Sequence, residues 1–225
     1  MTYVFGDIHG CLKSFNILLE KLAPAPDDTV VTLGDYIDRG PSSKGVIDRL
    51  LQLQNETNLV ALKGNHELMM EDARKGPPSS SFWLLNGGIE TLESYQGRSL
   101  NNVPEEHWQF LSELKSHHIV DQFLLTHATP PFNKKMADCD DDDLYWTRFR
   151  SPLARTDGKI LVCGHTPQEE RLPAFHDGNI CLDTGCVHEG LLTALTLETG
   201  TYLQADEAGE IRAGHLDIQA SVAAA

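Results

Sequence analysis

The chain has 225 residues, of which 40% are hydrophobic, and it carries a formal net charge of -15 at pH 7. This length and apolar fraction predict one α/β domain with a sizeable core and exclude a disordered chain. A surface this acidic repels nucleic-acid backbones and anionic membranes, so we expect neither as a general partner. A small phosphorylated substrate remains compatible with it, because a bound cation reverses the sign of the field locally.

The N-terminal residues and the cysteines predict the compartment. The chain begins MTYVF, without a basic segment followed by an apolar one, and no apolar run reaches the roughly 20 residues that cross a bilayer. There are five cysteines, an odd number, and no C-x-x-C pair. We therefore expect a cytoplasmic protein with reduced thiols. Cys181 and Cys186 are close enough in sequence for a redox-sensitive pair as the alternative.

In the first third of the chain, short apolar runs alternate with segments whose apolar residues have helical spacing. Short apolar runs at 3–5, 29–33 and 59–62 each lead into a glycine, which is typical of buried strands. Apolar residues at helical spacing predict helices over 11–22 and around 46–51. The β-α-β-α-β order predicts parallel strands joined by crossovers, and so an α/β architecture.

The middle of the chain has a different pattern. A Gly/Pro/Ser loop at 75–81 leads into a helical pattern over 82–118, which we interpret as an insertion beside the site within a single domain, 1–204. Later strands are expected at 123–126, 160–163, 180–183, 191–197 and 202–204, the last two as a hairpin. A C-terminal tail, 205–225, is expected to fray at its end.

Three glycine-flanked polar motifs follow the first three predicted strands. They are GDIHG at 6–10, GDYIDRG at 34–40 and GNHE at 64–67, and two further polar clusters, at 126–128 and 164–166, follow later strands. Ligands collect at the carboxyl ends of strands in open α/β sheets. We expect the glycines to let the backbone turn sharply and to leave room for an ion or a phosphate.

The five strand ends together offer two carboxylates, one amide oxygen and three imidazoles. The candidate ligands are Asp7, His9, Asp35, Asn65, His127 and His165. Each one alone is as well explained as a helix cap, a turn residue or a hydrogen-bonded bystander, so the prediction depends on the joint pattern. A mixed N/O set without thiolates suits Mn, Fe or Zn. Six ligands exceed what one catalytic ion with an open position needs. We therefore predict two divalent ions that share a carboxylate and hold a bridging hydroxide.

The three motifs resemble the signature of the calcineurin-like metallophosphoesterases, and within them the serine/threonine phosphoprotein phosphatases. That signature, GDxHG, GDxxDRG and GNHE, stands intact and in order. WLLNGG at 83–88, GHTP at 164–167 and DTG at 183–185 are similar to the bacteriophage lambda-type phosphatases and their bacterial relatives. The resemblance covers 3–200, and it implies a two-sheet β-sandwich flanked by helices, the αββα arrangement.

The resemblance also implies how the ligands divide. The first metal would be held by Asp7, His9 and Asp35, and the second by Asp35, Asn65, His127 and His165. His66 would be the general acid, and Asp38 would pair with it, fix its tautomer and raise its pKa. Arg39 and Arg148 would bind the phosphate.

Some nearby residues have competing interpretations. Arg150 and Arg155 could take the place of Arg148, or any of the three could form a surface ion pair. The acidic run 138–143 is interpreted as a solvated loop, with steering of basic peptides or tethering of an arginine as the alternative. Glu67 is expected to cap or orient the helix after Asn65 rather than to bind metal. Five histidines outside the predicted ligand set are expected to be surface or structural residues: His117, His118, His176, His188 and His215. His188 is the one most open to a role at the site, because it follows the DTG segment at 183–185.

Three functions follow from these residues. The first is a phosphomonoesterase acting on phosphoserine or phosphothreonine in proteins, with phosphotyrosine as a further substrate. The second is a hydrolase of dinucleoside polyphosphates such as diadenosine tetraphosphate, whose enzymes typically carry Asp where Glu67 stands here. The third, an inactive binding module, is disfavoured because all the predicted ligands and His66 are present. The expected partner is a phosphorylated protein or a small phosphoester.

Overall fold

The computed structural model describes residues 1–218. Its first half follows the predicted order, with strands β1 (Thr2–Phe5), β2 (Thr29–Thr32) and β3 (Asn58–Ala61) and helices α1 (Leu12–Leu22) and α2 (Ser43–Leu53). The strands β1, β2 and β3 pair in parallel, which confirms the predicted crossovers. Helix α1 ends at Ala23 in the left-handed conformation, directly before Pro24, because a proline ring cannot continue the helix.

The predicted helical insertion is partly wrong at both ends. Helices α3 (Asn65–Ala73), α4 (Ser79–Trp83), α5 (Ile89–Ser94) and α6 (Glu105–Ser112) are present, and a π-helical turn, Leu84–Gly88, joins α4 to α5. Helix α4 therefore begins inside the loop expected at 75–81. The helical pattern was expected to continue to 118, but His117–Val120 forms strand β4, because backbone pairing with the next strand outweighs the weak helical periodicity.

The second half of the chain builds a second sheet. It contains β4, β5 (Phe123–Thr126), β6 (Ile160–Cys163), β7 (Ala174–His176) and β8 (Asn179–Cys181), in the order β4-β5-β6-β8-β7. Strands β5, β6 and β8 pair in parallel, so their carboxyl ends meet at one edge.

The C-terminal residues return to the first sheet. Strands β9 (Leu192–Thr196) and β10 (Thr201–Ala205) form the predicted hairpin, and the sheet order is β11-β10-β9-β1-β2-β3. The expected tail is wrong in its first part, because Ile211–His215 forms β11 along the edge of β10. The residues 219–225 lie outside the described part, so the expectation that they fray stays a prediction.

The two sheets pack face to face, with helices on the outside. Val4 and Val31 from the first sheet meet Leu125 and Val162 from the second in one buried cluster. Side chains alternate across a strand, so Phe5, next to Val4, faces the opposite way, into the cluster that contains the apolar sides of α1 and α2. This confirms the two-sheet sandwich flanked by helices.

The cysteines are free, and the alternative pairing is wrong. The side chain of Cys181 lies against the carbonyl oxygen of Gly164, whereas that of Cys186 lies against the hydroxyl of Ser14. The two thiols of the suggested redox pair therefore have separate surroundings. No helix among residues 1–218 is long and apolar enough to span a membrane.

Candidate metal centre and phosphate cavity

Loops from both sheets meet over the carboxyl ends of the parallel strands. Asp7 follows β1, Asp35 follows β2, and Asn65 begins α3 just after β3. From the second sheet, His127 follows β5 and His165 follows β6. These loops enclose a cavity of about 240 Å³. The residues that line it include Asp7, Asp35, Arg39, Asn65, His66, Arg148 and His165.

Asp35 lies between two sets of imidazoles. Its Oδ2 atom is 3.4 Å from Nε2 of His9, and its Oδ1 atom is 3.4 Å from Nε2 of His127. The two close ligand groups among the described residues both contain this carboxylate: His9, Asp35 and His66 in one, and Asp35, His127 and His165 in the other. Burial raises the pKa of Asp35, but the facing histidines together lower it by more than burial raises it. The pKa of Asp35 is therefore well below its usual range.

The histidine tautomers are fixed by backbone carbonyls on their far sides. Nδ1 of His127 lies 2.9 Å from the carbonyl oxygen of Leu33, and Nε2 of His165 lies 3.1 Å from that of Trp146. A carbonyl only accepts, so these nitrogens carry the hydrogens and the other two ring nitrogens present lone pairs. His9 is held in the same manner by Ile37, 2.8 Å from its Nδ1.

The lone pairs point at another acceptor. Nε2 of His127 and Nδ1 of His165 each lie 3.0 Å from Oδ1 of Asn65. Burial lowers the pKa of both rings, that of His165 to about 3, so a second proton on either ring is disfavoured. Acceptor therefore faces acceptor, an arrangement that a cation between them would satisfy. A histidine that binds a metal usually donates its other ring N–H to a carbonyl or carboxylate, as these do. The nitrogen and oxygen donors together fit a divalent metal.

Asp7 reaches the same cavity from the end of β1, next to β2 in the first sheet. Both of its carboxylate oxygens accept the backbone N–H of His165, at 3.1 and 3.0 Å. Burial raises its pKa well above the usual range, and the carboxylates of Asp183 and Asp35 raise it further. Three neighbouring carboxylates in a buried place are costly without compensating positive charge. Their crowding thus agrees with a cationic occupant.

His66 and Asp38 form a buried pair beside these groups. Nδ1 of His66 is 2.7 Å from Oδ2 of Asp38, and its Nε2 is on the cavity side, 4.0 Å from Oδ2 of Asp35. Asp38 in turn accepts from the indole N–H of Trp83 at 3.0 Å and from the hydroxyl of Thr91 at 2.7 Å. The pairing and the orientation of the ring match the expectation from the sequence.

The expected rise in the pKa of His66 is wrong. Burial lowers the pKa of His66 to about 3, and the charges of His9 and Arg39 act in the same direction. Burial also raises the pKa of Asp38 to about 7. Both shifts have one cause, because the low-dielectric surroundings disfavour the separated charges of the pair.

Glu67 holds the loops together. One oxygen of its buried carboxylate accepts from the backbone N–H groups of Asp35 and Gly64, both at 2.9 Å, and the other accepts from Tyr36 at 2.8 Å. Its acidic side chain in the first turn of α3 also complements the helix dipole. The prediction that Glu67 caps and orients α3 is confirmed.

Two strand-end glycines allow a carboxylate to contact the backbone closely and do not leave open space. A Cβ on Gly64 would lie 2.2 Å from Oδ1 of Asp35, and one on Gly164 would lie 2.0 Å from Oδ1 of Asp7. The room expected for an ion or a phosphate at these two glycines is therefore filled by carboxylates of the protein. The ligands can approach the neighbouring strand end only because no side chain separates them.

Several site residues have left-handed backbone conformations. The φ angles are 44° at His9, 51° at Asp35, 72° at Asp38, 68° at Arg39 and 64° at His165. For residues other than glycine this costs about 1–2 kcal/mol each. Strain of this kind is retained where the surroundings over-determine the conformation, and it clusters at functional sites.

The arginines separate into different roles. Arg39 and Arg148 both line the cavity, and Nη1 of Arg39 is 3.0 Å from Nε2 of His9. Arg155 instead is buried and forms an ion pair with Asp157, 2.6 Å between Nη2 and Oδ2. Arg150 is exposed and does not line the cavity. Among the alternatives left open by the sequence, Arg148 is the one that the structure places at the cavity.

The acidic run, expected to be a loop, begins a short helix with its last three residues. Asp140 accepts the backbone N–H of Asp143 at 3.0 Å and begins α7 (Asp141–Tyr145). Asp143 pairs with Lys134. Lys134 also lies 4.0 Å from Oδ2 of Asp140, and no ion pair joins this run to an arginine in the described structure. Its charges therefore serve helix capping and two ion pairs with one lysine.

Sequence reasoning gave no site role to three polar side chains that line the cavity, those of Asn86, Asp183 and His188. Asp183 and His188 both line it, and burial raises the pKa of Asp183 to about 6. Asp183 follows β8 and lies two residues before Gly185, so the strand-end argument used for Asp7 could have found it. His188 was expected to be a surface or structural residue, but its place just after the DTG segment at 183–185 was the signal that marked it as the exception.

Comparison with known proteins identifies the family. Residues 2–169 match the family model described as calcineurin-like phosphoesterase. A serine/threonine-protein phosphatase 1 from Salmonella typhimurium is 32% identical over 216 residues, which is 88% of this chain and 92% of that protein. An asymmetrical bis(5'-nucleosyl)-tetraphosphatase from Anoxybacillus flavithermus is 26% identical over 218 residues, covering 85% of this chain and 88% of that protein.

Solved structures share the same fold. The structure of a protein serine/threonine phosphatase from Saccharomyces cerevisiae matches with a TM-score of 0.61 at 17% identity, covering 96% of this chain and 81% of that one. At that identity the likeness concerns the fold alone. Together with the family match over most of its length, it agrees with the two-sheet architecture and the loops at its edge. The chain belongs to the calcineurin-like phosphoesterase family, and it is a hydrolase that acts on phosphoesters.

Proposed function

We propose that this protein is a phosphomonoesterase that removes phosphate from serine or threonine side chains of proteins, with phosphotyrosine as a further substrate, and that it uses two divalent metals. The observation that carries the proposal is the position of Asp35, whose two oxygens face different imidazoles at 3.4 Å. One carboxylate between two ligand sets is what a shared bridging ligand requires.

The two ligand sets divide the candidate residues. Asp7, His9 and Asp35 would hold one ion, and Asp35, Asn65, His127 and His165 the other. Bound there, divalent ions would supply Lewis acidity that activates water and positive charge that offsets the phosphate. The mixed nitrogen and oxygen donors suit Mn, with Fe and Zn as alternatives.

The two cavity arginines would bind the transferred phosphoryl group. A phosphate monoester carries almost two negative charges near neutral pH, and guanidinium groups donate paired hydrogen bonds to its oxygens. Arg39 is partly buried beside His9, so it is positioned before substrate arrives. Arg148 is exposed and can adjust to the substrate.

His66 would donate a proton from Nε2 to the leaving oxygen. The hydrogen bond of Nδ1 to Asp38 leaves Nε2 facing the cavity. Burial by itself opposes the protonated ring, but the negative charge of a bound phosphate favours it. Asp38 would hold the ring in place and stabilise its charge during the transfer.

A dinucleoside polyphosphate hydrolase is the second candidate, because the relative from Anoxybacillus flavithermus has that name and matches most of the chain. The match to the Salmonella typhimurium phosphatase has the higher identity, 32% against 26%. The cavity also has only two arginines among its described lining residues, which suits one phosphate group better than four.

The decisive experiment compares substrates side by side. Purified protein with added Mn²⁺ would be assayed on phosphoserine and phosphothreonine peptides, a phosphotyrosine peptide and diadenosine tetraphosphate. We expect the highest kcat/KM on the serine and threonine peptides, and loss of all activity in Asp35→Asn. A higher kcat/KM on diadenosine tetraphosphate would overturn the protein-phosphatase assignment. Metal analysis of protein purified without added metal would identify the ions.

A further inference from the structure

One segment next to the phosphate cavity exposes three large apolar side chains to solvent. Phe82, Leu85 and Ile89 have relative exposures of 53%, 85% and 51%. They lie within eight consecutive residues, although only five large hydrophobic residues are at least half exposed in the described chain. Single exposed apolar residues are ordinary, but a cluster of them marks an interaction surface. We call these three residues the apolar rim.

The apolar rim is continuous with the cavity. Asn86, the residue after Leu85, lines the phosphate cavity, and its side-chain amide donates to the carbonyl oxygen of Phe82 at 2.8 Å. The backbone N–H of Arg39 donates to the carbonyl oxygen of Gly87 at 3.1 Å. The segment that exposes the rim is thus bonded directly to the loop that supplies a phosphate-binding arginine.

Beside the rim is a groove that could receive a side chain. Ile89, Leu84 and Leu92 line a groove of about 560 Å³. The charged residues that line the groove are Glu93 and Arg98. An apolar side chain placed there would be removed from water, which favours binding. One acidic and one basic residue leave no net positive charge for additional phosphates. The groove therefore suits a neutral apolar group rather than the remainder of a polyphosphate.

We propose that the apolar rim and this groove bind the polypeptide of the substrate, through an apolar side chain close in sequence to the phosphorylated residue. This inference rests on the proposed protein-phosphatase function and deepens it by naming a substrate preference. The polypeptide is the occupant that fits, because it continues from a phosphorylated side chain in the cavity onto the adjacent segment. The apolar rim then contributes to selection among phosphoproteins and has no part in the chemistry.

The test uses two phosphoserine peptides that differ only at the residues flanking the phosphoserine, which are leucine in one and glycine in the other. We expect the wild type to have about tenfold higher kcat/KM on the leucine peptide, as a buried apolar contact confers. Leu85→Ser and Ile89→Ser should remove most of that preference and leave p-nitrophenyl phosphate hydrolysis unchanged. The matched control is Ile119→Ser, at a residue with 46% exposure on β4, and it should keep the preference.

The outcomes separate this inference from the proposed function. If the wild type hydrolyses both peptides equally and the two rim variants behave as the wild type does, the rim proposal is wrong and the phosphatase proposal stands. If neither peptide is hydrolysed but diadenosine tetraphosphate is, both fail. If the rim variants lose activity only on diadenosine tetraphosphate, the occupant is a nucleoside, and the polypeptide proposal is overturned.

Discussion

The strand-end loops and the helical segment 79–112 differ in how they are built, although both border the same cavity. The loops carry buried carboxylates and imidazoles, left-handed residues, and glycines in contact with the ligand carboxylates of neighbouring loops. The helical segment exposes Phe82, Leu85 and Ile89, and it contributes only Asn86 to the lining of the phosphate cavity. A region that fixes reacting groups tolerates little change, whereas a region that meets variable substrates can remain adaptable. Substitutions in the two regions should therefore have effects of different size and kind.

The largest effect among the variants that keep the metals is expected for His66→Asn. The ring that would donate the proton is lost, but none of the six proposed ligands changes. We expect kcat to fall on the order of 10²–10⁴-fold, the usual contribution of acid–base catalysis. Steady-state assays on a phosphopeptide, with metal content measured in the same preparation, would check this. Full activity on a substrate with a poor leaving group would remove His66 from its role.

A smaller effect, on stability as well as activity, is expected for Gly64→Ala. The added methyl group would lie 2.2 Å from Oδ1 of Asp35, so the carboxylate or the loop must move. We expect about 1–3 kcal/mol of destabilisation, as for overpacking elsewhere, together with weaker metal binding. Urea denaturation and metal titration measure the two effects. In Gly158→Ala, where nothing lies within 4 Å of the new Cβ, the positive φ should cost about 1–2 kcal/mol, but metal binding should be unchanged.

The smallest effect is expected where the helical segment contacts the loops. Trp83→Phe removes the indole N–H that donates to Asp38 at 3.0 Å and leaves an apolar ring in its place. Residues that orient a functional group typically contribute 10–100-fold, so we expect kcat to fall about tenfold with KM little changed. Trp108→Phe is the control, because that ring contacts Arg74 and its indole makes no hydrogen bond to Asp38 in the described structure. Equal kcat values for the two variants would show that Trp83 does not support the pair.

The sequence predicted the elements whose pattern is local and missed the edge strands that depend on a pairing partner. The strands β1, β2 and β3 and the helices between them were predictable, because short apolar runs and the helical period of 3.6 are local signals and a glycine follows each strand within three residues. β4 was missed because an edge strand of four residues has little periodicity of its own and forms by pairing with β5. β11 was missed for the same reason, since its partner β10 supplies the pattern that stabilises it.

The same distinction between local and long-range features applies to the candidate site. Residue types and motif order determined from the sequence alone that Asp7, Asp35, Asn65, His127 and His165 stand at strand ends, since a strand and the glycine after it are local features. Tertiary structure decided which lone pairs face Asn65, that burial lowers the pKa of His66, and that Asp183 and His188 join the cavity. Distances, burial and electric fields between groups far apart in the chain exist only after the sheets have packed, so no local pattern encodes them.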